Sequence, residues 1–336
     1  MYAEHYKLSG KPFQLSPDHR FFFGSRSHSK AMAYLSFGLN EREGFIVITG
    51  DVGAGKTTLV GHLMSEIDRE RYVSANVVTT QLEADDALRM VASAFGLNFE
   101  GRDKAALLRQ IESFLKQNHE LGKHVVLVVD EAQNMSMSAV EELRMLSNFQ
   151  ADGKPLLQCF LLGQPQFRAI MARPEMEQLR QRVIASCHLE PLDEDETRAY
   201  IEHRLRMVGW QGDPAFTDAA FQLIHLHAGG VPRRINTLCG RLLLFGSLED
   251  LHEFDAAAVK EVVDELSEEG TQFSSVEQPR VSQAIGLPSS PLPSSPLPAM
   301  PRVELPTGAW RESETYGEAL DILEHRVLAL RRGAAK

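Results

Sequence analysis

The chain is poor in cysteine, with three in 336 residues. That leaves no disulfide framework of the kind that staples small secreted domains. Cys159 and Cys187 fall in apolar, strand-like runs and Cys239 in a helical one, so all three read as small core residues. Long apolar runs are missing too: none approaches the roughly 20 residues a spanning helix needs. The opening Met1-Tyr2-Ala3-Glu4-His5-Tyr6 lacks the charged and apolar regions of a signal peptide, which makes the cytoplasm the expected compartment. Positive charge is in deficit, 35 Lys and Arg against 46 Asp and Glu, for a net charge of −11. A protein that coats nucleic acid unspecifically needs a cationic surface, so that class is disfavoured, although a local basic patch stays compatible. The histidines show no metal spacing. His225 and His227 are two apart on an expected helix and do not share a face, so zinc is not expected.

What is present is an ordinary globular composition, 43% apolar and 24% charged, with length for one large or two modest domains. Within it, Gly50-Asp51-Val52-Gly53-Ala54-Gly55-Lys56-Thr57 follows the apolar run Phe45-Ile46-Val47-Ile48-Thr49 and precedes a helical pattern of Leu59, Val60, Leu63, Met64 and Ile67. This is G-x-x-x-x-G-K-[ST] between a buried strand and a helix, the context that gives the pattern meaning. Glycines let successive N–H groups turn inward around a phosphate, and the helix N-terminus adds its positive dipole end. Lys56 would reach the β- and γ-phosphates of a nucleotide, Thr57 would place its hydroxyl on Mg²⁺, and Thr58 completes the loop.

Taken in order, residues 1–43 form a lead-in expected to pack on the core that follows. Lys11-Pro12-Phe13, Ser16-Pro17-Asp18 and Phe21-Phe22-Phe23 suggest an extended, turn-rich segment, followed by a helix over 29–39 that buries Met32, Leu35 and Phe37. The three phenylalanines either fill a core edge or shelter an adenine ring. Residues 44–190 alternate strands and helices: after the phosphate loop come a strand over 71–79, helical stripes of Leu88, Val91, Phe95 and of Leu108, Ile111, Leu115, and a strand at Val125–Val129. A helix over 138–149, a strand over 156–162 and a weaker strand over 183–189 follow. The pattern predicts a doubly wound α/β fold with a five-stranded parallel sheet between helices. From Pro191 only helical patterns remain, over 193–208, 217–228, 233–247 and 255–266, predicting a small all-helical lid over 191–266. Residues 267–308, rich in proline and serine, read as a disordered tether. Residues 309–336 carry a short seam of Tyr316, Leu320, Leu323, Val327 and Leu330 that predicts an amphipathic helix.

Five apolar residues ending in Asp130-Glu131 place two acids at the C-terminal end of a buried strand, where open α/β sheets bind ligands. Asp130 is the candidate second holder of Mg²⁺, and Glu131 the base that deprotonates the attacking water. Gln164, at the tip of the next strand, is a candidate for contact with the γ-phosphate or that water. Arg180 and Arg182, just before the fifth strand, either make structural ion pairs or reach a neighbouring subunit's nucleotide. Gly229-Gly230-Val231-Pro232-Arg233-Arg234 opens a late helix and aims Arg233, with Arg234 as runner-up, back at the phosphates. No [NT]-K-x-D element appears, which disfavours a GTPase, and the glycine-rich signature of transporter ATPases is absent.

With these motifs in hand the chain resembles the AAA+ ATPases, within them the ExeA-type (general secretion pathway A) group, and most nearly the secretion ATPase of exosortase/PEP-CTERM loci. The likeness rests on Lys11-Pro12-Phe13 with Ser16-Pro17-Asp18, Gly44 to Leu59, Val125 to Asn134, Leu143 to Phe149, Leu161 to Phe167, Leu179 to Val183 and Gly229 to Asn236. It implies ATP hydrolysis with Mg²⁺, Gln164 at the first sensor, Arg180 or Arg182 as a finger acting in trans, and Arg233 at the second sensor. It also implies a homo-oligomer with nucleotide at subunit interfaces. Its partners would be envelope secretion or polysaccharide-export proteins at the inner membrane, to which the chain could attach peripherally. Similar ATPases serve transposition by binding DNA, which is the competing setting. Gln164 departs from the asparagine or threonine common at that sensor. The chain also departs from the membrane-anchored pattern in having no spanning helix or peptidoglycan-binding module after the ATPase, so direct cell-wall contact is not expected.

Overall fold

The computed structural model describes residues 2–42, 44–79 and 84–269. The sequence begins with a single helical turn, α1 (Tyr2–His5), and an irregular stretch that leads to α2 (Arg26–Glu41). Ser25 caps α2 by accepting from the His28 N–H, and Arg42 closes it in the left-handed region. The helix is thus longer at both ends than the apolar spacing alone indicates. Ala31, Met32, Leu35 and Leu39 face the sheet, whereas Phe37, two residues past Leu35 and so roughly 200° around the helix, is 40% exposed.

The alternating part runs β1 (Phe45–Gly50), α3 (Lys56–Glu66), β2 (Tyr72–Val78), α4 (Ala84–Ala94), α5 (Lys104–Glu120), β3 (His124–Asp130) and α6 (Met137–Leu146). A two-residue hairpin, β4 (Gln150–Ala151) and β5 (Lys154–Pro155), leads into β6 (Leu157–Gly163), α7 (Pro165–Met171), α8 (Glu177–Arg180) and β7 (Val183–Leu189). The five long strands are parallel in the order β2-β3-β6-β1-β7. The three with the longest apolar runs, β3, β6 and β1, occupy the middle, as strands buried on both faces must.

Period-two alternation sorts their side chains onto two layers. Val47, Leu127 and Leu161 point to α4, α5, α6 and α7, while Ile46, Val128 and Phe160 point to α2 and α3. The sheet is therefore sandwiched between helices, and all parallel strands present their C-terminal ends on one edge. That edge carries Gly50, Asp130 and Gly163, the last residues of β1, β3 and β6.

The remaining elements are α9 (Glu194–Arg206), β8 (Ala215–Phe216), α10 (Asp218–Ala228), α11 (Pro232–Leu248), β9 (Glu253–Phe254) and α12 (Ala256–Glu268). Asp193, Thr217 and Asp255 cap three of these helices through side-chain oxygens, and Asp193 with Glu196 forms a full capping box. The group is helical except for a two-residue parallel ladder between β8 and β9. Ser267 and Glu268 finish α12 instead of opening a tether; the rest of the expected tether and the expected C-terminal helix lie outside the described residues.

The lead-in is divided between two cores. α2 packs on the sheet, whereas Tyr6, Leu8, Phe13 and Phe21 are buried with α9–α12. Sheet and helical group belong to one compact unit. On the segment that joins them, the Leu192 N–H donates to the carbonyl of Gly230, which stands at φ +69°; a Cβ on Gly230 would lie 2.0 Å from the Leu192 oxygen, so only glycine fits.

Candidate functional site

The turn between β1 and α3 wraps its backbone around an open space because Gly53 and Gly55 take φ of +83° and +94°. Lys56, the first residue of α3, is 5% exposed, and its ammonium rests on the carbonyls of Gly50 at 2.8 Å and Asp51 at 3.0 Å. Burial lowers its pKa, an effect opposed by Glu131, Asp130 and Asp51. Next to it Thr57 donates to Asp130 Oδ2 at 2.6 Å, which ties the phosphate loop to the end of β3. One hydroxyl and one carboxylate in contact, both hard oxygen donors, fit a Mg²⁺ ion that keeps most of its water or phosphate ligands. Ala54 is buried, while Asp51 and Val52 are exposed and Thr58 is half-buried along the cleft.

Glu131 follows Asp130 in the left-handed region, φ 55° and ψ 39°, a conformation that costs a non-glycine residue about 1 kcal/mol or more and is held here by its neighbours. Thr79 Oγ1 donates to the carbonyls of Asp130 (2.9 Å) and Glu131 (2.6 Å), and the Glu131 N–H bonds Asp130 Oδ1 at 2.9 Å. The Glu131 carboxylate accepts from Gln133 Nε2 at 2.5 Å and from Gln164 Nε2 at 3.0 Å. Gln133 also accepts the Gln164 N–H at 2.9 Å, so the two glutamines brace one another and the acid. Burial pulls the Glu131 pKa up, but the two amide donors and Lys56 together hold it below the ordinary value.

A cleft opens beside this loop. Its walls come from three places: Gln14 to Asp18 and the three phenylalanines of the lead-in, Val52 to Thr58 with Glu131, and Tyr200, Arg204, Arg233 and Asn236 of the helical group. Phe21 is buried in the helical core with Arg204 over its ring at 4.7 Å, and Phe22 stacks on His62 at 4.3 Å. The phenylalanines thus both fill a core edge and line the cleft.

Arg233 stands at the second position of α11. Its N–H donates to the Gly53 carbonyl at 3.2 Å, so the lid helix starts against the phosphate loop. The exposed Arg233 side chain lines the cleft. Arg180 and Arg182 are not brought here. The Arg182 carbonyl accepts from the N–H of Phe45, the first residue of β1, whereas the loop follows its last; six residues at roughly 3.3 Å each separate them by about 20 Å. Arg180 Nη1 donates to the carbonyls of Met171 and Arg173, both at 2.6 Å, and Arg182 Nη1 donates to Ser147 Oγ at 3.0 Å.

Three site residues escape the sequence reading. Gln133 lies inside the run Asp130 to Asn134 and was visible only as a polar residue after the acids. Thr79 ends the second strand, and its proximity to Glu131 becomes legible only once β2 is known to pair with β3. His28, buried in α2, contacts Ser25 Oγ at 2.7 Å and the Ala54 carbonyl at 3.0 Å; that carbonyl can only accept, so Nε2 carries the proton and Nδ1 takes the serine hydroxyl.

A family profile described as an AAA domain matches residues 39–171. The chain is 35% identical to General secretion pathway protein A of Aeromonas hydrophila over 280 residues, which is 82% of this chain and 51% of that protein. It thus spans about half the length of the curated relative it matches. Among solved structures it is similar to the Aeropyrum pernix ORC2 protein (TM-score 0.57, 16% identity, 74% of this chain and 72% of that one). It is also similar to Cdc6p from Pyrobaculum aerophilum (0.56, 15%, 74% and 71%) and to the Thermotoga maritima RuvB Holliday junction branch migration motor (0.52, 18%, 76% and 73%). Such low identities establish a shared fold and no shared task. That fold is the P-loop AAA fold, and residues 39–171 are similar to an AAA domain.

Proposed function

We propose, from the premise that this chain carries an AAA ATPase domain, that it hydrolyses Mg²⁺–ATP in the cleft between sheet and lid and acts as a nucleotide-driven switch for an envelope secretion system. The finer setting is exosortase-linked protein sorting or exopolysaccharide export. The observation that carries the chemistry is the Thr57–Asp130 hydrogen bond of 2.6 Å, which joins the phosphate loop to the two acids with Glu131 alongside.

In this reading Lys56 exchanges the Gly50 and Asp51 carbonyls for β- and γ-phosphate oxygens. Thr57 and Asp130 hold Mg²⁺, which when bound neutralises charge shared by the two phosphates. Glu131 is ionised at neutral pH, and its two glutamine donors favour the charged form further. It accepts a proton from water as the water oxygen bonds to the γ-phosphorus and the bond to the bridging oxygen breaks, leaving ADP and phosphate. Arg233 senses the phosphates from the lid. Because Arg180 would have to leave two backbone carbonyls and Arg182 only one hydroxyl, Arg182 is the better finger for a neighbour's nucleotide.

The secretion setting is supported by the 35% identity to General secretion pathway protein A. Among the described residues no helix is long and apolar enough to cross a membrane, so attachment at the inner membrane would run through partners. The DNA-regulator alternative draws only on fold likeness, and the net charge of −11 weighs against it. Two assays separate the settings: sedimentation with inner membranes from cells holding the secretion system, and DNA binding at several salt concentrations. The secretion reading expects ATP-loaded Glu131→Gln protein in the membrane fraction, Lys56→Ala protein outside it, and weak DNA binding by both. Tight DNA binding that falls steeply with salt, without membrane retention, would sink it.

A further inference from the structure

We propose that His5, Asp250 and His252 form a site for one divalent transition-metal ion of the zinc class, outside the nucleotide cleft. His5 closes α1, and its Nε2 is shut off from solvent without a hydrogen-bond partner. Orphaned buried polar atoms are uncommon and call for an explanation. This atom faces Asp250 Oδ1 at 3.9 Å. That distance is too long for a hydrogen bond, yet near the roughly 3.4 Å that separates two ligands around a tetrahedral ion with bonds of 2.0–2.1 Å. The His252 ring stacks on His5 at 5.3 Å and 20°, and one donor atom from each of the three residues lies within 4.8 Å of the other two.

The surroundings match a metal site better than a surface ion pair. His252 Nδ1 lies 2.8 Å from Asp213 Oδ1, which places a proton on Nδ1 and leaves Nε2 as a free donor; carboxylate–histidine–metal relays use this arrangement. The turn that bears the ligands is held on both sides. Tyr6, next to His5, donates its hydroxyl to the Leu251 carbonyl at 2.9 Å, and the Ala215 N–H donates to the His252 carbonyl at 2.9 Å. Leu251 in turn bonds back to Gly246 at 2.8 Å. The Asp250 side chain is 87% exposed, which gives an ion a way in and lets the carboxylate close behind it.

Two imidazoles and a carboxylate suit Zn²⁺, Ni²⁺ or Cu²⁺ and not Mg²⁺, so this site and the Thr57–Asp130 pair would not compete for one ion. The ion would tie the first helix of the chain to the turn after α11, adding stability to the lid by binding only the folded state.

The test uses untagged full-length protein, stripped by chelation and kept in excess Mg²⁺. Zn²⁺ uptake is followed by calorimetry, Co²⁺ coordination by visible absorption, and the thermal midpoint with and without Zn²⁺. The site predicts one Zn²⁺ per chain at micromolar concentration, a tetrahedral Co²⁺ band and a raised midpoint. His252→Ala and Asp250→Asn should abolish the band, and Asp213→Asn should weaken Zn²⁺ binding by about 10–100-fold, as loss of an outer-sphere partner does. ATP turnover should be unchanged in all three. Because Asp250 and His252 are exposed, these variants should fold, which circular dichroism checks. Equal Zn²⁺ uptake by wild type and His252→Ala, or no uptake by wild type, would overturn the site.

Discussion

Replacing Gly53 by alanine puts a methyl group where the phosphate loop and the lid touch. At φ +83° an L-residue pays for the left-handed backbone, about 1–2 kcal/mol. Its Cβ would lie 2.3 Å from Arg233 Cβ and 3.1 Å from Arg233 Cδ, a clash that only separation of α11 from the loop relieves, at about 1–3 kcal/mol for overpacking of this kind. Separation also loses the bond from the Arg233 N–H to the Gly53 carbonyl, about 0.5–1.5 kcal/mol. The total is about 2.5–6.5 kcal/mol, which at its lower end is roughly sixtyfold in an equilibrium. Urea denaturation should show the loss, and fluorescent ATP binding should weaken with it. The informative background is Arg233→Gly, which removes the opposing Cβ. There Gly53→Ala should lose only its backbone share, and the clash and hydrogen-bond shares should return as a coupling energy of about 1.5–4.5 kcal/mol. An identical cost in both backgrounds would refute the contact between loop and lid.

Other expectations follow from the same geometry. Gln133→Ala frees one side of the Glu131 carboxylate; turnover should fall by up to about a hundredfold with ATP affinity retained, and the acid limb of the pH–rate profile should move up because a donor to the charged form is lost. Burial lowers the pKa of His28, and of His124, His203 and His227. The unfolded chain therefore takes up protons near its ordinary value of about 6.5 while the folded chain does not, so stability is full above that pH and declines below it, flattening once the folded values are passed. Urea midpoints at pH 7.5 and 5.5 test this, and a flat profile would contradict it. Arg180→Ala should lose about 1–3 kcal/mol of stability with its two carbonyl contacts. Arg182→Ala subunits mixed with Lys56→Ala subunits should regain turnover that neither shows alone; no gain would rule out action across an interface.

Much of the fold is legible where burial is two-sided or a cap is chemically marked. β1 and β3 fall where their apolar runs place them, and Asp193, Thr217 and Asp255 announce three lid helices because a side-chain oxygen at that position satisfies a free helical N–H. α2 is harder: its cap, Ser25, precedes polar Arg26-Ser27-His28, so the apolar stripe begins late. The candidate site divides the same way. Lys56, Thr57, Asp130 and Glu131 lie in two short runs with recognisable neighbours. Gln133 and Thr79 matter through a network that closes only across paired strands, and Phe21 packs in the helical core with buried Arg204 over its ring, while α2 of the same lead-in packs on the sheet. His5 and His252 stack although nearly the whole described chain lies between them, a proximity that no spacing rule contains.

The central claim is that Glu131 is the base of an ATPase whose binding elements lie elsewhere. The direct measurement is single-turnover phosphate release together with ATP affinity, on wild type, Glu131→Gln and Lys56→Ala. Glu131→Gln, which keeps the shape and loses the charge, should hold ATP as wild type does and release phosphate at least about a hundredfold more slowly. Lys56→Ala should fail at binding. Phosphate release at the wild-type rate by ATP-bound Glu131→Gln would contradict the assignment.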